Sequence, residues 1–460
     1  IERIMYNEFP YVFIIQGDIV DRKNIDKKYR QMILKDKNKY YKDYIKTIEK
    51  VKKSKATYKD EIVPFLYMPK FYTQIDLDIF ESLTNKMISI LNKVINKYLE
   101  DKEYREKFNF PYWLQQLILL PNQYESNFPM ARFDIFYDYN KNFKFCEINT
   151  DGTSAMNEEK ELSNIFSNTL CIENMKKNYS ITPFELFDTW VNETLNIYWE
   201  NNDNPEPSIA IVDFVGKASM DEFIEFRDRF RAKGLWCEIV SPDKLKTNEG
   251  YIYFNDKKID IVYRRLVTKD LIDNIEKIEG FIEGIKSGKT TIIGPIKSQI
   301  IHNKIIFKVL YDKETKSFLT YDEMDFIEKH IPYTKELNLD KLDINNVLDN
   351  REKFIIKPMD FYASKGVFTG QECSKEKWKE ILIQYDKKNY LIQEYCNPPE
   401  TDMINFANKH NIIDTFKNIT GLYVYNENFY GIYSRVGKKS IISSLHDGYT
   451  LPTYLIKKGN

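Results

Sequence analysis

The chain has 460 residues, enough to bury a large core as two or three structural units or as one elaborate enzyme domain. Its 68 lysines and arginines nearly cancel 69 aspartates and glutamates, so no overall field draws it to nucleic acid or to a membrane, and an anionic ligand has to be held by a local cluster. The five cysteines, at 146, 171, 237, 373 and 396, are odd in number and lack CxxC spacing. That counts against a zinc site and a disulfide framework and fits a reducing cytoplasm. No apolar run reaches the length of a membrane-spanning helix, and none reads as a signal peptide.

Residues 11–15 are a short apolar run of strand type. Residues 24–55, rich in Lys and Tyr with spaced apolar positions, read as one exposed amphipathic helix. Residues 64–72 read as strand and loop. Apolar side chains at Phe80, Leu83, Met87, Ile88, Leu91, Val94 and Ile95 predict a helix over 76–98, and another is expected over 111–120.

Residues 131–154 read ARFDIFYDYNKNFKFCEINTDGTS. Two aromatic-rich runs, 131–137 and 143–149, flank a polar stretch with Asp138, Asn140 and Asn142, which is a hairpin signal. With Asn140-Lys141 as the turn, Arg132 falls opposite Asn149 and Asp134 opposite Glu147, all on one face because side chains alternate along a strand. Two facing carboxylates repel unless a cation or a proton lies between them. Mg²⁺ takes oxygen ligands, with water and phosphates completing an octahedral shell, and two carboxylates with an amide oxygen suit it. Arg132, one step along the sheet, would face a phosphate held by that ion. The plainer reading is a solvated hairpin face whose charges pair, and an odd-length loop would split the four residues between faces.

Helices are expected over 158–169 and 183–199. A strand at 208–213, a helix at 220–233, a strand at 235–240, a small hairpin at Asn255-Asp256 and a strand at 259–264 predict a parallel crossover unit. It lacks the G-x-G-x-x-G of a dinucleotide site. Arg264 and Arg265 close the last of these strands, where ligands sit in open α/β sheets; they suit a carboxylate or phosphate, and equally a rim ion pair. Residues 299–310 read as a helix opened by His302, Asn303 and Lys304, and a lysine at that end of the dipole hints at an anionic partner. Strand 354–358 ends in Lys357 and Pro358 and leads into a small-residue loop at 360–367. Its backbone N–H groups could cover a triphosphate, or it is a turn between strands. Residues 390–395 are a further strand. Residues 418–425 and 428–436 form a second hairpin turning at Asn426-Glu427, with Arg435 near its far end, and runs at 441–444 and 449–455 close the chain.

One Mg²⁺-type cluster, two lysines at element edges, a covering loop and a late arginine are what phosphoryl transfer from ATP requires, because catalysis there is mostly positioning and charge neutralisation. Walker A and kinase signatures are absent. The chain resembles the glutathionylspermidine synthase-like group of ATP-grasp ligases, whose ATP-grasp elements are circularly permuted. The resemblance rests on ARFD at 131–134, CEINTD at 146–151, DIVYRR at 260–265, HNK at 302–304, IIKP at 355–358, SKGV at 364–367, LIQEY at 391–395 and GIYSR at 431–435. These keep a consistent order, with the hairpin ahead of both lysine segments.

The resemblance implies an α/β fold with α+β elements: an ATP-grasp fold in permuted order plus a Rossmann-like pre-ATP-grasp subdomain. Residues 1–130 would be a mostly helical part, 131–200 the metal-binding hairpin and following helices, 205–295 the Rossmann-like substrate subdomain, and 296–460 the lysine strands, lid loop and C-terminal sheet. It implies ATP and Mg²⁺, as two ions, with Asp134, Glu147 and Asn149 as metal ligands and Arg132 on the transferring γ-phosphate. It places Lys304 and Lys357 on ATP phosphates, Ala363 and Ser364 in the loop over them, Gln393, Glu394 and Tyr395 beside the adenine, and Arg435 near the phosphates or the acyl intermediate. Arg264, Arg265, Asp151 and Ser154 would meet the substrate. The expected activity joins a small-molecule or peptide carboxylate to an amine; a phosphotransferase and a non-catalytic nucleotide- or peptide-binding module are the alternatives.

Overall fold

In the computed structural model, which describes residues 2–6, 9–14, 20–58, 61–214, 216, 220–360, 365–408, 411–442 and 448–459, the hairpin strands Met130–Tyr137 and Phe143–Asn149 form one edge of an antiparallel sheet. The sheet continues through Ile413–Tyr425 and Asn428–Gly437 to Gly448–Leu451. The long strand Ile413–Tyr425 serves two neighbours on one side: its residues 413–417 pair with Glu400–Ile404 and its residues 420–425 with Met130–Tyr137. Asn426 and Glu427 turn the second hairpin with positive φ at both positions, 44° and 61°, the left-handed turn that matches the twist of paired strands.

The first hairpin reaches its expected pairing by an unexpected route. Its loop, residues 138–142, is odd in length, so the rungs beside it are one residue off: Tyr137 faces Phe143 and Ile135 faces Phe145. A bulge at Cys146 supplies the missing residue, and beyond it Asp134 faces Glu147 and Arg132 faces Asn149. Without that bulge the odd loop would have put Glu147 opposite Phe133, on the core face.

Thr73 and Asp76 form a reciprocal capping box that starts the helix Gln74–Glu100. Its stripe of Phe80, Leu83, Met87, Leu91, Val94 and Ile95 is buried in the same core as Phe133, Ile135 and Phe145 of the hairpin, each large apolar side chain stabilising the packing by about 1.5–3 kcal/mol. The region expected as one exposed helix over 24–55 is instead two helices, Arg22–Lys35 and Lys37–Lys52. Asp36 ends the first and caps the second by accepting from Lys39 N–H, and the first buries Ile25, Tyr29 and Ile33.

Strands Cys237–Val240, Ile209–Val212, Ile261–Arg264 and Thr291–Ile293 lie side by side, all parallel, with the helices Met220–Ala232 and Glu279–Ser287 between them in sequence. The parallel direction of the first three strands is the one expected from the crossover pattern, and Thr291–Ile293 adds a fourth strand that the sequence reading did not include. A separate antiparallel sheet, Thr334–Glu336, Tyr390–Glu394, Phe354–Pro358 and Phe368–Thr369, carries Lys357. The helix Lys375–Tyr385 covers it with Trp378, Ile381 and Leu382.

The single helix expected over 299–310 is broken. Gln299–His302 and Ile306–Val309 are short helical turns, and Asn303 between them is extended, its side chain accepting from Ile305 N–H. Lys304 therefore lies in the break rather than at a helix start, and its N–H donates to the Met359 carbonyl at 3.0 Å, docking it beside the strand that ends in Lys357 and Pro358. The closing strand Thr453–Lys458 runs between Lys70–Tyr72 and Tyr179–Pro183. The run expected at 441–444 lies partly outside the described residues. Among those described, no helix is long and apolar enough to cross a membrane.

Candidate functional site

Asp134 is the centre of the cluster. Its carboxylate is fully buried and accepts from Arg132 Nε at 2.6 Å and Arg132 Nη2 at 3.0 Å, from Arg435 Nη2 at 2.9 Å and from Asn149 Nδ2 at 3.3 Å. Three strands meet here because Gly421 lies opposite Asp134 in the ladder. A Cβ at 421 would stand 2.7 Å from Arg132 Cδ and 2.9 Å from Asp134 Oδ1, so only glycine leaves the guanidinium its place. Both guanidiniums also lie near the Tyr433 ring, Arg132 at 5.3 Å and Arg435 at 5.5 Å from its centroid. The third nitrogen of Arg132 donates to the Ser154 carbonyl, which Tyr423 also holds.

Glu147 faces Asp134 across the rung and remains about a quarter exposed, 28%. Lys304 Nζ stands 3.9 Å from its carboxylate, and Lys357 Nζ donates to the adjacent Cys146 carbonyl at 3.4 Å. Burial pushes the Glu147 carboxyl up, but Lys304, Lys357, Arg435 and Arg132 together outweigh it and hold the group below its ordinary value. The guanidinium of Arg132 is held charged by Asp134 against the same burial penalty.

The structure thus brings Arg132, Asp134, Glu147, Asn149, Lys304, Lys357 and Arg435 to one place. Asp134, Glu147 and Asn149 offer two carboxylates and an amide oxygen, the hard donors that Mg²⁺ takes alongside water and phosphate. Among the described residues no three His, Cys, Asp or Glu side chains are grouped to hold a metal. With three donors from the protein, a divalent ion at this rung would complete its octahedral shell with water and ligand oxygens.

Ala363 and Ser364 fall outside the described residues. Ile355 pairs with Gln393 and Lys357 with Leu391, so Gln393 and Lys357 share a face of their sheet, while Glu394 is exposed on the other. Gln393 donates to Thr334 Oγ1 at 2.8 Å, Glu394 accepts from Tyr333 N–H at 3.3 Å, and the Tyr395 hydroxyl donates to the Ser440 carbonyl at 3.2 Å.

Arg264 and Arg265 are each held in an ion pair, the alternative that the sequence left open. Both are buried. Arg264 pairs with Asp151 at 2.8 Å and donates to the Gly294, Leu266 and Pro295 carbonyls. Arg265 pairs with Glu222 at 2.7 Å and donates to the Thr153 carbonyl. Asp151 is taken up by Arg264 and by Thr268 N–H, which leaves the four residues as a clamp that fixes residues 149–154 against the parallel sheet. The sequence offers the arginines and Asp151 but not their pairing, and it does not offer Glu222, which comes from a helix 43 residues away.

Three neighbours of the cluster escape a reading of the sequence. Gly421 and Tyr433 become visible only once the strands are paired. Glu158, buried near Glu222, Arg132 and Arg435, has its carboxyl pushed up to about 8 by burial and by the Glu222 charge; in sequence it reads as an ordinary acid of a helix start.

No family model matches the chain, and no curated protein matches it in sequence. Among solved structures, a glutathione synthetase-like effector from Globodera pallida in its apo form superposes with a TM-score of 0.60 at 14% identity, over 90% of this chain and 96% of that one. A D-cycloserine synthetase is also found, at a TM-score of 0.29 and 14% identity over 55% of this chain and 75% of that one. The finer likeness to glutathionylspermidine synthases is not singled out by these neighbours. What the chain shares with the glutathione synthetase-like effector is its mixed α/β fold.

Proposed function

We propose that the protein is an ATP- and Mg²⁺-dependent ligase that joins a carboxylic acid to an amine. The substrate carboxylate attacks the γ-phosphorus, the bond to the β-phosphate oxygen breaks and ADP departs. The amine then attacks the acyl carbon, the bond to the phosphate breaks, and the amine gives up a proton as the amide forms. The observation that carries this reading is the rung on which Asp134 faces Glu147 with Arg132, Arg435, Lys304 and Lys357 around it. Likeness of fold to a glutathione synthetase-like effector supports ligation as the reaction.

When bound, Mg²⁺ draws charge from the phosphate oxygens and brings the γ-phosphate within reach of a nucleophile. Asp134, Glu147 and Asn149 would hold it. Arg132 and Arg435 neutralise the phosphoryl group in flight, and Lys304 and Lys357 anchor the remaining phosphates, with Gln393 on the nucleotide's side of the sheet. We read the order of elements, hairpin before both lysine segments, as a circularly permuted ATP-grasp, with 205–295 as its Rossmann-like substrate subdomain between the hairpin region (131–200) and the lysine half (296–460).

The test is a screen of amino acids, peptides and polyamines for ADP formation with ATP and Mg²⁺, read together with mass spectrometry of the products. ADP release that needs both an acid and an amine, gives an amide, and is lost in Glu147→Gln supports the ligase. Release that needs the acid alone and yields a phosphorylated acid makes it a phosphotransferase. Nucleotide binding without turnover across the panel makes it a binding module.

A further inference from the structure

The Asp134 carboxylate has side-chain partners of its own chain at both oxygens. Both of its oxygens are taken at 2.6–3.0 Å by guanidinium nitrogens of Arg132 and Arg435, from strands on either side of the one between them, and Asn149 closes the remaining approach at 3.3 Å. The side chain has no exposed surface. Four cationic side chains, Arg132, Arg435, Lys304 and Lys357, surround the two carboxylates of Asp134 and Glu147. A bare divalent ion approaching this rung meets a net positive charge and has to displace two charge-assisted hydrogen-bonded partners from the carboxylate it needs. A polyphosphate meets the opposite: an attractive field, and oxygens that can take over the guanidiniums.

Resting on the ligase reading above, we infer that Arg435 is the residue that decides in which form the metal enters: with Arg132 it locks Asp134 in the nucleotide-free protein, so the site takes a divalent cation only as its complex with nucleotide phosphates. The phosphate oxygens draw the guanidiniums away and, in the same event, release Asp134 to the cation. Arg435 suits this task better than Arg132. It holds Asp134 through one terminal nitrogen from another strand, whereas Arg132 grips both oxygens and is itself tied to the Ser154 carbonyl.

The experiment is Mn²⁺ binding followed by electron paramagnetic resonance, on the whole chain, with and without the β,γ-methylene analogue of ATP. In the wild type, Mn²⁺ alone is expected to bind weakly and the analogue to tighten it by at least about tenfold. Arg435→Met is expected to bind Mn²⁺ alone at least about tenfold more tightly than the wild type, with the gain removed in Arg435→Met/Asp134→Asn. A variant that had merely lost structure would lose binding rather than gain it. Wild-type protein that takes Mn²⁺ tightly at Asp134 without nucleotide, or an Arg435→Met variant with unchanged affinity for the free ion, overturns the lock while leaving the ligase reading standing. Wild-type protein that binds neither Mn²⁺ nor the Mn²⁺–analogue complex overturns both.

Discussion

Gly421 sits across the ladder from Asp134, where a methyl group would fall 2.7 Å from Arg132 Cδ. Gly421→Ala is therefore expected to force the Arg132 guanidinium off Asp134 and to lower nucleotide turnover by about tenfold or more, while the melting temperature moves by only a few degrees; steady-state kinetics beside a thermal melt checks both. Strand periodicity made it legible that Arg132 shares a face with Asp134 and Glu147 with Asn149, and the two-residue turn assumed from the sequence gives the same register that the five-residue loop reaches with its bulge. The bulge at Cys146 was not legible, since nothing in NFKFCEIN distinguishes a five-residue loop with a bulge from a two-residue turn without one. The two readings of Arg264 and Arg265 stayed open for a related reason: a strand-end arginine looks the same in sequence whether it faces a substrate or is matched by Asp151 and Glu222, the pairing found here.

Among the elements, the helix Gln74–Glu100 was readable nearly end to end, because its apolar stripe recurs at helical spacing over many turns. Its start is fixed by Thr73, whose hydroxyl and N–H face the Asp76 carboxylate while Asp76 N–H returns to the hydroxyl. Thr73→Ala is expected to lower global stability by about 1 kcal/mol in urea unfolding. A helix that began elsewhere would show no change. The break at Asp36 and the one at Asn303 were harder to see. In each, a short polar side chain satisfies a backbone N–H and so ends one helical segment as it starts the next, without any gap in the apolar spacing. At Asn303 the break is also what brings Lys304 to Met359 and hence to Lys357.

For the molecule as a whole, the C-terminal strand Thr453–Lys458 is joined to the helix Met156–Phe166 through a fully buried acid. Glu159 accepts from Ser163 Oγ at 2.5 Å and from Thr453 N–H at 3.1 Å, and burial pushes its carboxyl up to about 8. The folded form keeps a proton that an unfolded glutamate releases near pH ~4.5. Its stabilising contribution is complete below that pH and is lost as pH rises to about 8. Glu159→Gln is expected to reduce this loss by ~2 kcal/mol between mildly acidic and mildly alkaline solution. Denaturant midpoints across that range decide it, and parallel pH profiles for the two proteins would contradict it.

The broken helix and the separate sheet set Lys304 and Lys357 beside the Asp134–Glu147 rung. The most direct test is a calorimetric titration of the β,γ-methylene analogue of ATP with Mg²⁺ into the wild type and into Glu147→Gln, a substitution at a partly exposed position that leaves the Asp134 pairs intact. Binding at a single site in the wild type, weakened at least about tenfold in the variant, is the predicted result. Equal affinity in the two proteins, or no binding to the wild type, would contradict it.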